Sequence, residues 1–209
     1  MGAEGENRLE SPNPSDVFLN GPYDQKFLDP FLAYVAGLSA LGLFPRATLE
    51  IPGGERRLDR IFTLIRACAS SLHDLSRVEL DERRPITPRF NMPFELGLAV
   101  AWEKLDPGQH TWFVFETKLR RLEKSLSDLS GTDVYVHEGK PRGIFRELCS
   151  VFVRSQRQPD VEQMDLIYTG LKQALPGLLR KAGSHTAFQA RVFSDLRVLS
   201  RALSAEIVR

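Results

Sequence analysis

Glu95 stands in the run Arg89-Phe90-Asn91-Met92-Pro93-Phe94-Glu95-Leu96-Gly97-Leu98-Ala99, two residues before a glycine. A second polar cluster, Ser71-Leu72-His73-Asp74-Leu75-Ser76, lies upstream of it. The first run reads as a helix start, with Asn91 or Met92 at the N-cap and Pro93 in the first turn, where a missing N–H is no loss. On that reading Glu95 sits where exposed backbone N–H groups favour an ionised carboxylate. Such a carboxylate can act as a nucleophile or stabilise a developing cation. Gly97 has no side chain, so a ligand or a strand can approach closely. The second cluster reads as a strand end. It puts Asp74 and Ser76 at the carboxyl edge of a sheet, where ligands bind in open α/β folds. Each feature also has an ordinary use. Acidic residues stabilise first helical turns, and aspartate commonly ends a strand.

Asn20-Gly21-Pro22-Tyr23-Asp24 follows a short apolar run and occupies the place of phosphate and sugar loops in doubly wound folds. Tyr23 offers a ring for stacking, or a cover for the loop. The chain has neither G-x-G-x-x-G nor G-x-x-x-x-G-K-[ST], so no dinucleotide or P-loop fingerprint is present. His73 falls on the opposite strand face from its neighbours and suits a satisfied core histidine better than a base. His110, His137 and His185 are scattered without a ligand spacing, and no metal site is expected. Arg77, Arg83, Arg84 and Arg89 suit either a phosphate-bearing ligand or a solvated lid-type loop.

These groups need elements to hold them. Strands are expected at 16–20, 44–51, 72–76, 111–115 and 133–137, with helices at 27–43, 56–69, 94–103, 119–129 and 143–153. Strand and helix alternate with short connections, which favours a parallel sheet covered on both faces. The expected fold is a flavodoxin-like three-layer α/β sandwich with a five-stranded parallel sheet. Residues 1–14 read as a flexible lead-in, 15–154 as the α/β domain and 155–209 as a helical extension. Phe188, Val192, Leu196, Leu199, Leu203 and Ile207 form one stripe, so this extension packs on the domain or pairs with another copy.

The chain has 209 residues, 42% hydrophobic, with 28 Lys+Arg against 27 Asp+Glu. That composition sustains a core, and the balanced charge gives no reason to expect nucleic acid or a membrane surface as partner. No run spans a bilayer and no apolar signal core opens the chain, so a cytoplasmic location is expected. Cys68 and Cys149 fit no zinc spacing and are expected in apolar helical surroundings as reduced thiols.

Val17 to Tyr23, Asp74-Leu75-Ser76 and Phe94-Glu95-Leu96-Gly97-Leu98-Ala99 together resemble the nucleoside 2-deoxyribosyltransferase-like and Toll/interleukin-1 receptor (TIR)-like group of flavodoxin-like domains. The resemblance spans about Ser15 to Val153. It implies that Glu95 matches a catalytic glutamate acting at a sugar anomeric carbon, with Asp74 matching a strand aspartate; as the second catalytic residue Asp74 would protonate the leaving base if burial raises its pKa, or hold a sugar hydroxyl. It further implies ligand contacts from Asn20, Gly21, Pro22, Tyr23, Ser76, Asn91 and Gly97. The ligand would be a nucleotide or nucleoside, with NAD as substrate rather than cofactor, and bacterial antiphage defence or signalling would be the setting. The chain departs from the group in two places. Phe90-Asn91-Met92-Pro93 lacks the acidic residue usual before the transferase glutamate, and the Trp-Cys pair typical of TIR domains is missing. Two non-catalytic readings stand beside the enzyme: a nucleotide sensor that signals through the helical extension, and an oligomerising module.

Overall fold

The computed structural model describes residues 11–50, 56–78, 80–81, 84, 86–153 and 158–208. Strand β1 (Asn13–Asn20) is followed by a 3-10 turn (Gln25–Phe27), helix α1 (Leu28–Ala40), β2 (Phe44–Arg46), a second 3-10 turn (Thr48–Glu50), α2 (Arg57–Ala67) and β3 (Cys68–Asp74). A short hairpin, β4 (Leu80–Asp81) and β5 (Thr87–Pro88), precedes α3 (Asn91–Leu105). Then come β6 (Thr111–Glu116), α4 (Arg121–Ser125), β7 (Val134–Val136), α5 (Pro141–Val151), α6 (Val161–Ala182) and α7 (Ala190–Ile207).

β2, β1, β3, β6 and β7 form one sheet in that order, and every neighbouring pair is parallel. Counting only these strands, the order is 2-1-3-4-5, the flavodoxin-like arrangement. The pleat sorts the strand residues. Val17, Leu19 and Leu72 join Phe31, Tyr34 and Phe145 in the core on the α1 and α5 face. Phe18 packs with Ile61, Ile65, Ala99 and Trp102 on the α2 and α3 face. Met92, Leu96, Val114 and Leu122 close a third cluster under α3 and α4.

α1 is buried from Pro30 to Ala40 without a break. A helix apolar on all sides needs neighbours on all sides. The sheet and α5 cover one side, and α6 and α7 cover the other through Met164, Ile167, Leu171, Val192, Phe193 and Leu196. The extension is therefore a further layer sharing α1's core, and its apolar stripe faces inward. Asp160 opens α6 with a capping box to Gln163, and Gly183 closes it at φ 63°.

Several boundaries differ from the sequence expectation. β3 begins at Cys68, so Ala69 and the polar Ser70-Ser71 pair lie inside a strand, and Cys68 belongs to the sheet rather than to a helix. Its thiol is buried and pushed up to about 12 by that burial. The expected second strand is shorter and yields to a 3-10 turn, with Ile51 to Gly54 outside the described residues. α4 is a single short helix followed by a 3-10 turn (Ser127–Leu129). The expected lead-in is described only from Ser11, and the expected helical extension only from Gln158.

Candidate functional site

Asn20 ends β1, at the point where the chain connections diverge to the two sides of the sheet. Ligands in open α/β sheets settle at this switch point. A cleft of about 780 Å³ opens here. Its floor is the loop Asn20–Gln25, and one wall is Thr87–Met92 with Glu95 from α3. Thr48 and Arg57 form the opposite side, and Thr186 and Phe188, from the α6–α7 connection, complete the rim.

Glu95 is the fifth residue of α3 and only 7% exposed. This overturns its expected place in the first turn. Phe90 is the N-cap, Asn91 opens the helix, and the first turn holds no acidic residue. Burial pushes the Glu95 carboxyl up to about 7, against the opposing charge of Arg57. The group is therefore not the helix-stabilised anion expected from sequence. It exchanges its proton near neutrality, where a carboxyl can work as acid or base.

Asn20 is 3% exposed and tightly held. Its Nδ2 donates to the carbonyl of Met92 at 2.9 Å and lies 2.8 Å from His73 Nδ1. The first bond ties the end of β1 to the helix that carries Glu95. Asp24 organises the loop. Its Oδ1 accepts from the N–H groups of Lys26 (2.9 Å) and Phe27 (3.1 Å), and its Oδ2 accepts from Arg77 Nε at 2.9 Å and from Arg89 Nη1. Burial pushes this carboxyl up, but the bonds from Arg89 and Arg77 outweigh it and hold it below the usual carboxylate range. Of the arginines expected to suit either a phosphate-bearing ligand or a solvated lid-type loop, Arg77 and Arg89 pin the cleft wall through Asp24, and Arg89 itself lines it. Arg84 is exposed and Arg83 lies outside the described residues. Tyr23 donates to or accepts from Thr48 Oγ1 at 2.9 Å, and its ring packs against Phe188 at 5.7 Å between centroids.

Asn20, Gly21, Pro22, Tyr23, Asn91 and Glu95 come together in this cleft. Asp74, Ser76 and Gly97 do not line it. Strand parity explains Asp74. Its neighbour His73 shares the α3 face with Phe18, at 6.2 Å between rings, so Asp74 points to α1. There its Oδ2 accepts from Tyr34 Oη at 2.8 Å and lies 3.1 Å from His137 Nε2, while Oδ1 accepts from Ser76 N–H at 2.9 Å. His137 Nδ1 accepts from Gly139 N–H at 3.1 Å. Burial pushes the Asp74 carboxyl up, and the His137 and Ser76 contacts more than reverse it. Ser76 is buried as part of that turn. Gly97 is exposed, and a Cβ there would meet nothing within 4 Å, so no close approach explains it.

Sequence reasoning missed Thr48, Arg57, Thr186 and Phe188 as cleft residues. Phe188 carried a signal, but as the start of a helical stripe; the others carried none. Among the described residues no cluster of three or more His, Cys, Asp or Glu could hold a metal ion, and no helix is long and apolar enough to cross a membrane. No protein-family model, curated protein or solved structure matches the chain.

Proposed function

We propose that the cleft binds a nucleotide or nucleoside and that Glu95 acts at its N-glycosidic bond. One observation carries this reading: a buried carboxyl titrating near 7, facing a cleft at the switch point of a flavodoxin-like sheet. Cleaving the bond between C1′ and the base nitrogen builds positive charge on the sugar as the base leaves with the electron pair. A carboxylate in a water-poor cleft stabilises that charge. Arg57 and Arg89 on the walls suit a phosphate, and the Tyr23 and Phe188 rings suit a base. The resemblance of the Phe94–Ala99 run to the deoxyribosyltransferase and TIR-like glutamate helix points the same way, with NAD as the first substrate to try and antiphage defence or signalling as the setting.

The test is chromatographic assay of NAD and deoxynucleosides with pure protein at high concentration. Turnover is expected, falling as pH drops below about 7, and Glu95→Gln is expected to lower kcat by about a thousandfold or more with ligand affinity kept. No turnover of either substrate class ends the proposal. A second reading, a non-catalytic nucleotide sensor, draws support from Asp74: engaged with Tyr34 and Ser76 outside the cleft, it leaves Glu95 without that acidic partner. Binding without turnover, unchanged by Glu95→Gln, would select it.

A further inference from the structure

A buried chain of hydrogen bonds runs from the cleft back along β3. Asn20 Nδ2 meets His73 Nδ1 at 2.8 Å, His73 Nε2 meets Ser71 Oγ at 2.8 Å, Ser71 Oγ meets His110 Nε2 at 2.8 Å, and His110 Nδ1 meets the carbonyl oxygen of Cys68 at 2.8 Å. Asn20 Nδ2 also meets the Met92 carbonyl at 2.9 Å. Ser71 and His73 are fully buried and His110 is 2% exposed.

Both ends of this chain are backbone carbonyls, which only accept. At the far end, the Cys68 carbonyl requires a proton on His110 Nδ1. In a neutral ring Nε2 must then accept, so Ser71 donates to it. The Ser71 oxygen is thereby free to accept from His73, which fixes that ring's proton on Nε2. His73 Nδ1 is left as an acceptor, and it takes a hydrogen from the Asn20 amide. At the near end, the Met92 carbonyl requires the other amide hydrogen. Flipping the amide would set Asn20 Oδ1 against a carbonyl oxygen. The two ends agree on one proton arrangement, with the two histidines in opposite tautomers. Burial pushes both rings down, His73 to about 3, so the neutral forms persist.

Both amide hydrogens of Asn20 are thus used inside the protein. Its Oδ1 is the polar atom left to the cleft that Asn20 lines. Resting on the reading of the cleft as a nucleoside site, we infer that Asn20 is a fixed hydrogen-bond acceptor selecting ligands with a sugar hydroxyl, and that Ser71, His73 and His110 are positioning residues that prevent it from presenting a donor instead. A ligand group that only accepts, such as an ether oxygen, meets a lone pair here. A hydroxyl donates and fits.

Two measurements test this. Long-range 1H–15N spectra of the full chain labelled in histidine, assigned by single substitutions, report each ring's tautomer without any ligand. His73 carries its proton on Nε2 and His110 on Nδ1, both neutral at pH 7; a charged ring, or the opposite tautomer on either, overturns the chain. Titration calorimetry with adenosine and its 2′-deoxy, 3′-deoxy and 2′,3′-dideoxy analogues reads the selectivity. The dideoxy analogue is expected to bind about tenfold more weakly than adenosine. Ser71→Ala, which removes the acceptor for His73 Nε2 and lets that ring carry its proton on Nδ1 against the Asn20 amide, is expected to shrink that ratio to about twofold or less, whereas a merely structural role would weaken all four nucleosides alike and leave the ratio. Equal binding of adenosine and the dideoxy analogue, or binding of neither, overturns the acceptor role. Hydroxyl selectivity without turnover would sink the glycosidic chemistry alone; turnover without selectivity would sink this inference alone.

Discussion

Glu95 is held in a place that opposes its ionisation, and that has a measurable consequence for the fold. Its carboxyl ionises at an ordinary 4.5 in an open chain and at about 7 in the cleft. Between those values the folded state holds the proton more tightly, so this group's contribution to stability is full below about 4.5, declines as pH rises to 7 and is level above. The decline amounts to about 3 kcal/mol. Denaturant titrations at pH 5 and pH 8 should show it in the native chain and not in Glu95→Gln, which is expected to be the more stable of the two at pH 8. Equal pH dependence in both would show that the group is solvated. Arg57 is the cation that partly offsets the burial of this carboxyl. Arg57→Ala should therefore move the activity midpoint above 7, and a midpoint left in place would remove Arg57 from the site.

At the scale of elements, α5 sits so close to the end of β7 that one glycine decides the contact. A Cβ on Gly143 would lie 2.2 Å from the carbonyl oxygen and 2.9 Å from the carbonyl carbon of His137. Backbone cannot rotate aside as a side chain can, so the helix must shift. Gly143→Ala, which raises helix propensity, should nonetheless destabilise the protein, by about 1–3 kcal/mol. A neutral or stabilising result in chemical denaturation would mean that α5 stands farther off. The displacement also reaches His137 and, through it, Asp74. The cleft at the end of β1 is less exposed to this change, because Asn20 and Asp24 tie β1 to α3 and to Arg77 and Arg89 rather than to α5.

For the whole molecule, the helical extension and the cleft are one construction. α6 and α7 cover the outer side of α1, and their connection carries Thr186 and Phe188 to the cleft rim, where Phe188 meets Tyr23 and Phe31. Removing residues 159–209 would bare a helix buried on every face. The truncated chain should be recovered insoluble or bind a hydrophobic dye strongly, and a soluble, cooperatively melting fragment would contradict this arrangement. Phe193→Ala, a milder change at a fully buried ring against Phe31, is expected to lower stability by about 3–5 kcal/mol.

The order of strands and helices was legible in the chain because hydrophobic period and turn residues are local properties. Val17-Phe18-Leu19 and Thr111 to Phe115 announce buried strands by composition, and the loop Asn20–Tyr23 is placed at the cleft by its position after the first of them. The polar start of β3 was hidden, because Ser71 becomes a strand residue there through a partner far along the chain, His110, 39 residues away. Which face each helix covers is equally non-local. Strand alternation sets Asp74 and His73 on opposite faces, but only packing puts α3 with His73 and α1 with Asp74. That choice separated Asp74 from Glu95 and turned Glu95 from a helix-stabilised anion into a buried carboxyl, while the packing of α6 and α7 on α1 brought Phe188, from their connection, to the same cleft.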